Sequence, residues 1–265
     1  MHSSTPPINP DVPHSARVWN YWLGGKDNYP PDRAVGEQLK AMLPDAVVSA
    51  RADREFLERV VTTLVDDLGI TQFLDIGTGL PTANNTHEVA QAVDPACRIV
   101  YVDNDPLVLT HARALLTSAP EGVTDYLHAD VHDPEKILAQ VEPTLDLDRP
   151  VALMLLGILN YVIDADQAAS IVRTLLDAVP SGSYLVIAHP TADFDPEGMA
   201  QLLQVWNQAN PAPMRARTRQ EVADLLAGLE LLEPGVVSCA RWRPRAGTLF
   251  ADRDVSQIAG VARKP

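Results

Sequence analysis

The chain has 265 residues, 46% hydrophobic and 21% charged, and 35 acidic against 21 basic side chains leave a formal net charge of −14. That length and balance suit one large α/β domain, or one domain with appendages, of ordinary globular composition. So acidic a surface repels phosphate backbones, which argues against nucleic-acid binding.

The first eighteen residues, MHSSTPPINPDVPHSARV, lack the apolar core of a signal peptide. The longest apolar run, VALMLLGIL at 151–159, is too short to span a bilayer, so no membrane partner is expected. Cys97 and Cys239 stand far apart without further ligands at metal-binding spacing. They read as reduced, buried thiols of a cytoplasmic protein, and no metal site is expected. Nothing in the composition specifies an oligomeric state.

In chain order, the first conspicuous stretch is RVWNYWLGGKDNYPPDR at 17–33. It gathers two of the four tryptophans and two of the six tyrosines beside Gly24-Gly25-Lys26-Asp27-Asn28. The paired glycines end any helix there. From Val47 to Leu68 a helix is legible: Leu57, Val60, Val61, Leu64, Val65 and Leu68 recur at three- and four-residue steps. Arg51, Arg54 and Arg59 fall off that stripe, and Gly69 ends it.

Strand signals follow. QFLDIG at 72–77 and RIVYVD at 98–103 are apolar runs that reach an acid. Asp105-Pro106 then opens a helix through Leu109, Ala112, Leu115 and Leu116. A third strand is expected to end at Asp130. VALMLLG at 151–157 is apolar at every position, as a central parallel strand covered on both faces should be. A helix over about 164–179 and the strand SYLVIAH at 183–189 come next. Five alternations of strand and helix predict a Rossmann-like, doubly wound, mostly parallel sheet. Beyond 190 a helix near 196–208 precedes one opened by the capping box Thr218-Arg219-Gln220-Glu221. Two strand-like segments, LELLEPGVVSCARW and IAGVARK, close the chain as an expected antiparallel hairpin.

Ligands of open α/β sheets sit outside the carboxyl ends of the strands. Asp75, Asp103 and Asp130 fall at or beside three such ends, with the turn Gly77-Thr78-Gly79 between the first two. Glycines there let the backbone approach a ligand closely. A nicotinamide-type fingerprint needs a third glycine opening directly into a helix, but GTGLPTANNTHEV puts Thr82 there and Pro81 inside the turn. A nicotinamide-dependent oxidoreductase is therefore the weaker reading. A ligand with a ribose and a cationic amino-acid end, but no phosphate, suits an acid-lined pocket better, and that describes S-adenosylmethionine.

LDIGTG, YVDNDP and HADVHDP resemble successive motifs of class I S-adenosylmethionine-dependent methyltransferases. More narrowly, RVWNYWLGGKDNYPPDR, GTGLPTANNTHEVAQ, VDNDPLVLTHARALL, PGVVSCARWRP and AGVARK resemble the actinobacterial S-adenosyl methyltransferase family, once catalogued as a domain of unknown function. The likeness runs from Arg17 to Lys264. It implies that Asp75, Gly77 and Gly79 surround the methionine portion of the cofactor. Asp103 would accept from both ribose hydroxyls, Asn104 lie beside the adenine, Asp130 take its amino group, and Val131 donate a backbone N–H to the ring.

Methyl transfer needs alignment, exclusion of water and, for some acceptors, removal of a proton. GILNYVID, after the fourth strand, supplies Asn160 and Tyr161 as acceptor-binding and catalytic candidates. Asparagine orients a substrate but is no general base, so His189 at the end of the fifth strand is the titratable candidate. His87-Glu88 reads as a supporting or surface pair. A small-molecule methyl acceptor is the expected partner; a non-catalytic sensor of S-adenosylmethionine is the alternative. The N-terminal stretch completes the expectation as a lid over the strand ends. Trp19 and Tyr21 would wall the substrate, and Lys26, with Arg51 or Arg54, would pair with the methionine carboxylate. One domain over 1–265 results: a helical lid at 1–68, a cofactor core at 69–190, and a helical insert with C-terminal strands at 191–265.

Overall fold

The computed structural model of the chain describes residues 9–81, 84–108, 110, 118–210 and 212–265. Among these residues eight strands form one sheet: β1 (Gln72–Ile76), β2 (Arg98–Asp103), β3 (Val123–His128), β4 (Ala152–Leu156), β5 (Tyr184–Pro190), β6 (Glu230–Leu231), β7 (Val237–Ser238) and β8 (Gln257–Arg263). The order is β3-β2-β1-β4-β5-β8-β6. The first five strands run parallel, and β8 lies antiparallel to β5 along Tyr184 to Pro190. The order reverses between β1 and β4, which opens a crevice at the carboxyl ends of those strands.

Successive strand residues face opposite sides of the sheet. Phe73, Ile99, Met154 and Val186 join one core with Phe56, Val60 and Leu64 of the helix α3 (Ala46–Thr62) and its following π-turn. Leu74, Val100, Leu153 and Leu185 join the opposite core. That side is covered by α5 (Pro134–Val141), α6 (Ala165–Asp177) and α8 (Arg219–Leu225), while α4 (Thr86–Val93) lies with α3. Residues apolar at every position are thus the consequence of two covered faces.

A third core stands apart from the sheet. Helix α1 (Ser15–Trp22) contributes Val18, α2 (Pro30–Met42) contributes Val35 and Leu39, and α7 (Pro196–Ala209) contributes Met199, Leu202 and Trp206. These helices form a cap. The lid therefore includes α7, from the far end of the chain, and excludes most of α3, whose apolar stripe belongs under the sheet. Of the three arginines of α3 only Arg51 is exposed: Arg59 is buried and donates to the carbonyls of Trp242 and Cys239 at 3.0 and 2.6 Å.

Other expectations shift at their edges. The third strand stops at His128, so Asp130 sits two residues past it in a turn. The predicted strand LELLEPGVVSCARW pairs only as the short β6 and β7, both against β8, because the chain turns out at Glu233-Pro234. Residues 106–108 are helical as expected, whereas Leu109, Ala112, Leu115 and Leu116 lie outside the described residues. No helix among the described residues is long and apolar enough to cross a membrane.

The GGKDN stretch is a structural clasp. Gly24 takes φ +82° and Gly25 N–H donates to the Asn20 carbonyl at 2.8 Å. Asn20, buried in α1, accepts through Oδ1 from the Asp27 backbone N–H at 3.1 Å and from Asn28 Nδ2 at 3.0 Å. A Cβ on Gly25 would sit 2.3 Å from Asn20 Nδ2. Gly25→Ala is accordingly expected to lower stability by about 1–3 kcal/mol, seen as a lower denaturant midpoint at unchanged slope. A variant melting like the parent would show that the clasp is dispensable.

Candidate active site

Between the cap and the carboxyl ends of the strands lies a cavity of about 880 Å³. This is near the upper end of the range for small-molecule sites and leaves room for two ligands side by side. One half is polar, with Asp75, Gly77, Gly79, Asp103 and Asp130 on its wall. The other is apolar, with Trp22, Leu39, Leu43, Met199, Leu202 and Trp206.

The sheet positions the polar half. Asp75 is in β1, buried, and its Oδ2 accepts from the Thr86 hydroxyl at 2.6 Å. Burial pushes its carboxyl up to about 6, with Asp103 adding to the rise and Thr86 and Arg54 opposing it. After β1 the backbone turns back through Gly77 (φ +81°) and Gly79 (φ +68°). A Cβ on Gly77 would lie 2.6 Å from Ile158, so that glycine packs against the loop after β4. A Cβ on Gly79 would meet nothing within 4 Å. The backbone there borders open cavity.

Asp103 closes β2 and ties the turn down. Its Oδ2 accepts from Gly79 N–H and its Oδ1 from Asp105 N–H, each at 2.9 Å. Each oxygen keeps a lone pair for a ligand hydroxyl. Asn104 donates to Asp130 Oδ2 at 3.2 Å, and Asp130 Oδ1 accepts from the His132 backbone N–H at 2.9 Å. Partial burial raises the Asp130 carboxyl, but these bonds outweigh it and hold it below the usual range. Val131 is buried in the same wall.

The loop after β4 brings Asn160 and Tyr161 to the cavity. Burial pushes the Tyr161 hydroxyl up to about 12, with the neighbouring Ser15 and Asn160 side chains opposing the rise. Tyr161 is therefore neutral at physiological pH. Trp19 also lines the cavity, 6.0 Å from Trp22.

Four expected site residues are not brought there. His189 is fully buried and lines none of the cavity. Its Nδ1 donates to the Pro190 carbonyl at 2.8 Å, and its Nε2 accepts from Arg217 at 2.8 Å, since guanidinium only donates. Burial holds the imidazole down to about 3. It has no lone pair left for a substrate, and serves instead to hold Arg217. That guanidinium donates to the carbonyls of Leu159 and Val162 at 2.7 and 2.8 Å and so pins the Asn160–Tyr161 loop. Tyr21 points away and donates to Glu37 at 2.7 Å. Lys26 and Arg51 are exposed outside the cavity, whereas Arg54 lines it. Lys26→Ala is therefore expected to leave cofactor affinity within about twofold of the parent by calorimetry. A larger loss would place the lysine at the ligand after all. His87 is neither a cavity nor a surface residue: it is buried, with Nδ1 2.9 Å from the Tyr101 hydroxyl.

Asp53 is the member of the site that sequence reasoning missed. It is buried on α3, and its Oδ1 accepts from Gln257 Nε2 at 3.3 Å. Its signal was available, because position 53 lies four residues before Leu57 and so on the apolar stripe. A carboxylate on a buried stripe calls for a reason.

Comparison with known proteins places this geometry. The family profile described as S-adenosyl methyltransferase matches residues 1–265. The crystal structure of a DUF574 family protein from Streptomyces avermitilis is 46% identical, covering 98% of this chain and 100% of that one, at a TM-score of 0.94. A methyltransferase-like protein from Thermobifida fusca is 40% identical over 99% of both chains, at a TM-score of 0.88. Human N-acetylserotonin methyltransferase, solved in complex with S-adenosylmethionine, shares the fold alone: 18% identity, 94% of this chain, 63% of that one and a TM-score of 0.51. No curated protein sequence matches the chain.

Proposed function

The chain belongs to the S-adenosyl methyltransferase family, and from that premise we propose that it methylates a small molecule within the capped cavity. The observation that carries this reading is the division of one capped cavity into an acidic half and an apolar half. A macromolecular acceptor calls for an open groove; a cavity roofed by α1, α2 and α7 suits a molecule that is swallowed whole.

The polar half fits the cofactor of the family. Asp75 is a buried carboxylate whose raised value falls back when a cation sits beside it, as the sulfonium and ammonium of S-adenosylmethionine supply. The backbone at Gly79 offers the open space into which no side chain intrudes. Asp103 keeps one lone pair on each oxygen for a ribose diol, and Asp130 with Val131 suits the adenine edge. When bound, the cofactor supplies a methyl group made electrophilic by its sulfonium.

The chain's own residues then have three tasks. Asp75, Asp103 and the glycine turn hold one partner in place, and their hydrogen bonds to Thr86, Gly79 and Asp105 are made before any ligand arrives. The cap excludes water and presses the acceptor's apolar body against Trp22 and Leu202. Arg217 and His189 keep the Asn160–Tyr161 loop rigid, so that the two partners meet in line.

Turnover tests the proposal. Purified protein with S-adenosylmethionine and cell extract is expected to form S-adenosylhomocysteine above the extract-free control. Mass spectrometry should find one compound that gains a methyl group. Tight binding without turnover in any extract would instead favour a sensor.

A further inference from the structure

Helix α3 meets the cavity along a line of residues three or four apart, Ala46, Ser49, Asp53 and Leu57, with Arg54 beside it. Ala46 belongs to the core of the cap, and Leu57 to the core beneath the sheet. Asp53 thus stands where the cavity passes from its acidic half to its apolar half. It is only 6% exposed. Its partner Gln257, at the start of β8, reaches to 3.9 Å from where a Cβ on Gly157 would sit, just past the end of β4.

Charge sharpens the position. Asp53, Asp75 and Asp103 are three buried carboxylates on one wall. Arg54 beside them carries one positive charge, and Arg215, also on the lining, is paired with Glu221. A cofactor with sulfonium, ammonium and carboxylate adds one net positive charge, so negative charge stays in excess. Asp103 is compensated by two backbone N–H groups and Asp75 by the Thr86 hydroxyl. Asp53 has a single long amide contact. The lining of the same cavity also includes Trp19, Trp22 and Trp206. A buried carboxylate in a cavity that also presents aromatic side chains is the environment that selects an organic cation.

Building on the methyltransferase reading, we propose that Asp53 binds the methyl acceptor itself, and that this acceptor is an amine on a largely apolar body. The carboxylate pairs with the ammonium and takes one proton, leaving a neutral amine and a carboxylic acid. The nitrogen lone pair then forms the new N–C bond as the C–S bond of the sulfonium breaks, and that pair of electrons stays on sulfur. The product leaves as a methylated ammonium, and Asp53 returns its proton to water.

The test uses the full-length protein saturated with S-adenosylhomocysteine, which fills the cofactor half without reacting. Calorimetry compares 2-phenylethylamine with 2-phenylethanol, matched in shape and differing in charge. The amine is expected to bind at least about tenfold tighter, and Asp53→Asn to abolish the difference while S-adenosylhomocysteine affinity stays near that of the parent. The preference should also fade with acidification as Asp53 is protonated; Arg54, Asp75 and the Cys239 thiol are the titratable groups that face it. The pH series on the unaltered protein needs no variant to fold. Absence of any amine preference, in a protein that binds S-adenosylhomocysteine, overturns this proposal alone. Weakened S-adenosylhomocysteine binding in Asp53→Asn with the amine preference intact also overturns it, by putting Asp53 on the cofactor's amino-acid end. Failure of the parent protein to bind S-adenosylhomocysteine removes the methyltransferase reading and this one with it.

Discussion

Asp103→Ala is expected to weaken binding of S-adenosylmethionine by about 1.5–3 kcal/mol, one to two orders of magnitude in Kd. The carboxylate is 8% exposed and held in plane by the Gly79 and Asp105 backbone N–H groups. Truncation deletes the acceptors for the ribose and also releases Gly79, so the turn that borders the ligand loses its anchor. Asp103→Asn should fail nearly as badly, because its NH₂ would face one of two backbone donors. Calorimetry on both variants checks this, with Asp177→Ala, an exposed acid at the end of α6 that lines none of the cavity, as the control. An unchanged Kd in Asp103→Ala would remove the ribose assignment.

Asp75→Asn should move two quantities in opposite directions. Burial raises the Asp75 carboxyl from 3.8 to about 6 in the folded chain. A carboxyl whose folded value lies above its unfolded one contributes its full share of stability below the unfolded value and loses it as pH rises through the folded one. At neutral pH the ionised group therefore costs the unliganded fold about 3 kcal/mol, from roughly two pKa units. Asparagine carries no charge to bury and its amide oxygen can still accept from Thr86. The variant is expected to be more stable than the parent at neutral pH, and the gain should vanish below about pH 4. Cofactor affinity should fall, because the cation loses its counter-charge. Denaturant melts at neutral and acid pH, with and without S-adenosylmethionine, separate the two effects. A variant less stable than its parent at neutral pH would show that the ionised carboxylate is already compensated without ligand.

These effects concentrate at residues that local pattern exposes unevenly. RIVYVD coincides with β2 residue for residue, because a strand covered on both faces must be apolar until it reaches the crevice. Asp75 and Asp103 were legible for the same reason: an acid ending such a run has no structural excuse. Asp53 was not, since a helical stripe is read for its apolar members and a lone carboxylate on it is easily passed over. Lys26 misled for the opposite reason. Its neighbours Gly25, Asp27 and Asn28 are there to clasp Asn20, and the lysine between them merely faces water. His189 sits at a strand end, a place that suits a catalytic base, but only the fold reveals Arg217 donating to its one lone pair. Nothing local in α2 announces α7 either. Their contact joins segments more than 150 residues apart, and periodicity shows that a face is apolar without naming what covers it.

The separate core of the cap bears on how such a protein changes over generations. Leu39, Leu43, Met199, Leu202 and Trp206 pack on one another and share no member with the two cores that sandwich the sheet. Substitutions at well-separated sites add nearly independently, so a change in the cap is felt in the cap. Lineages are free to reshape the apolar chamber by drift in two short helices while the strand ends stay under constraint. Descendants of one ancestor are then expected to diverge first in the apolar half of the cavity and last in its acidic half. An engineer seeking a new acceptor would randomise α2 and α7 together, as one inherited unit, and leave the sheet alone.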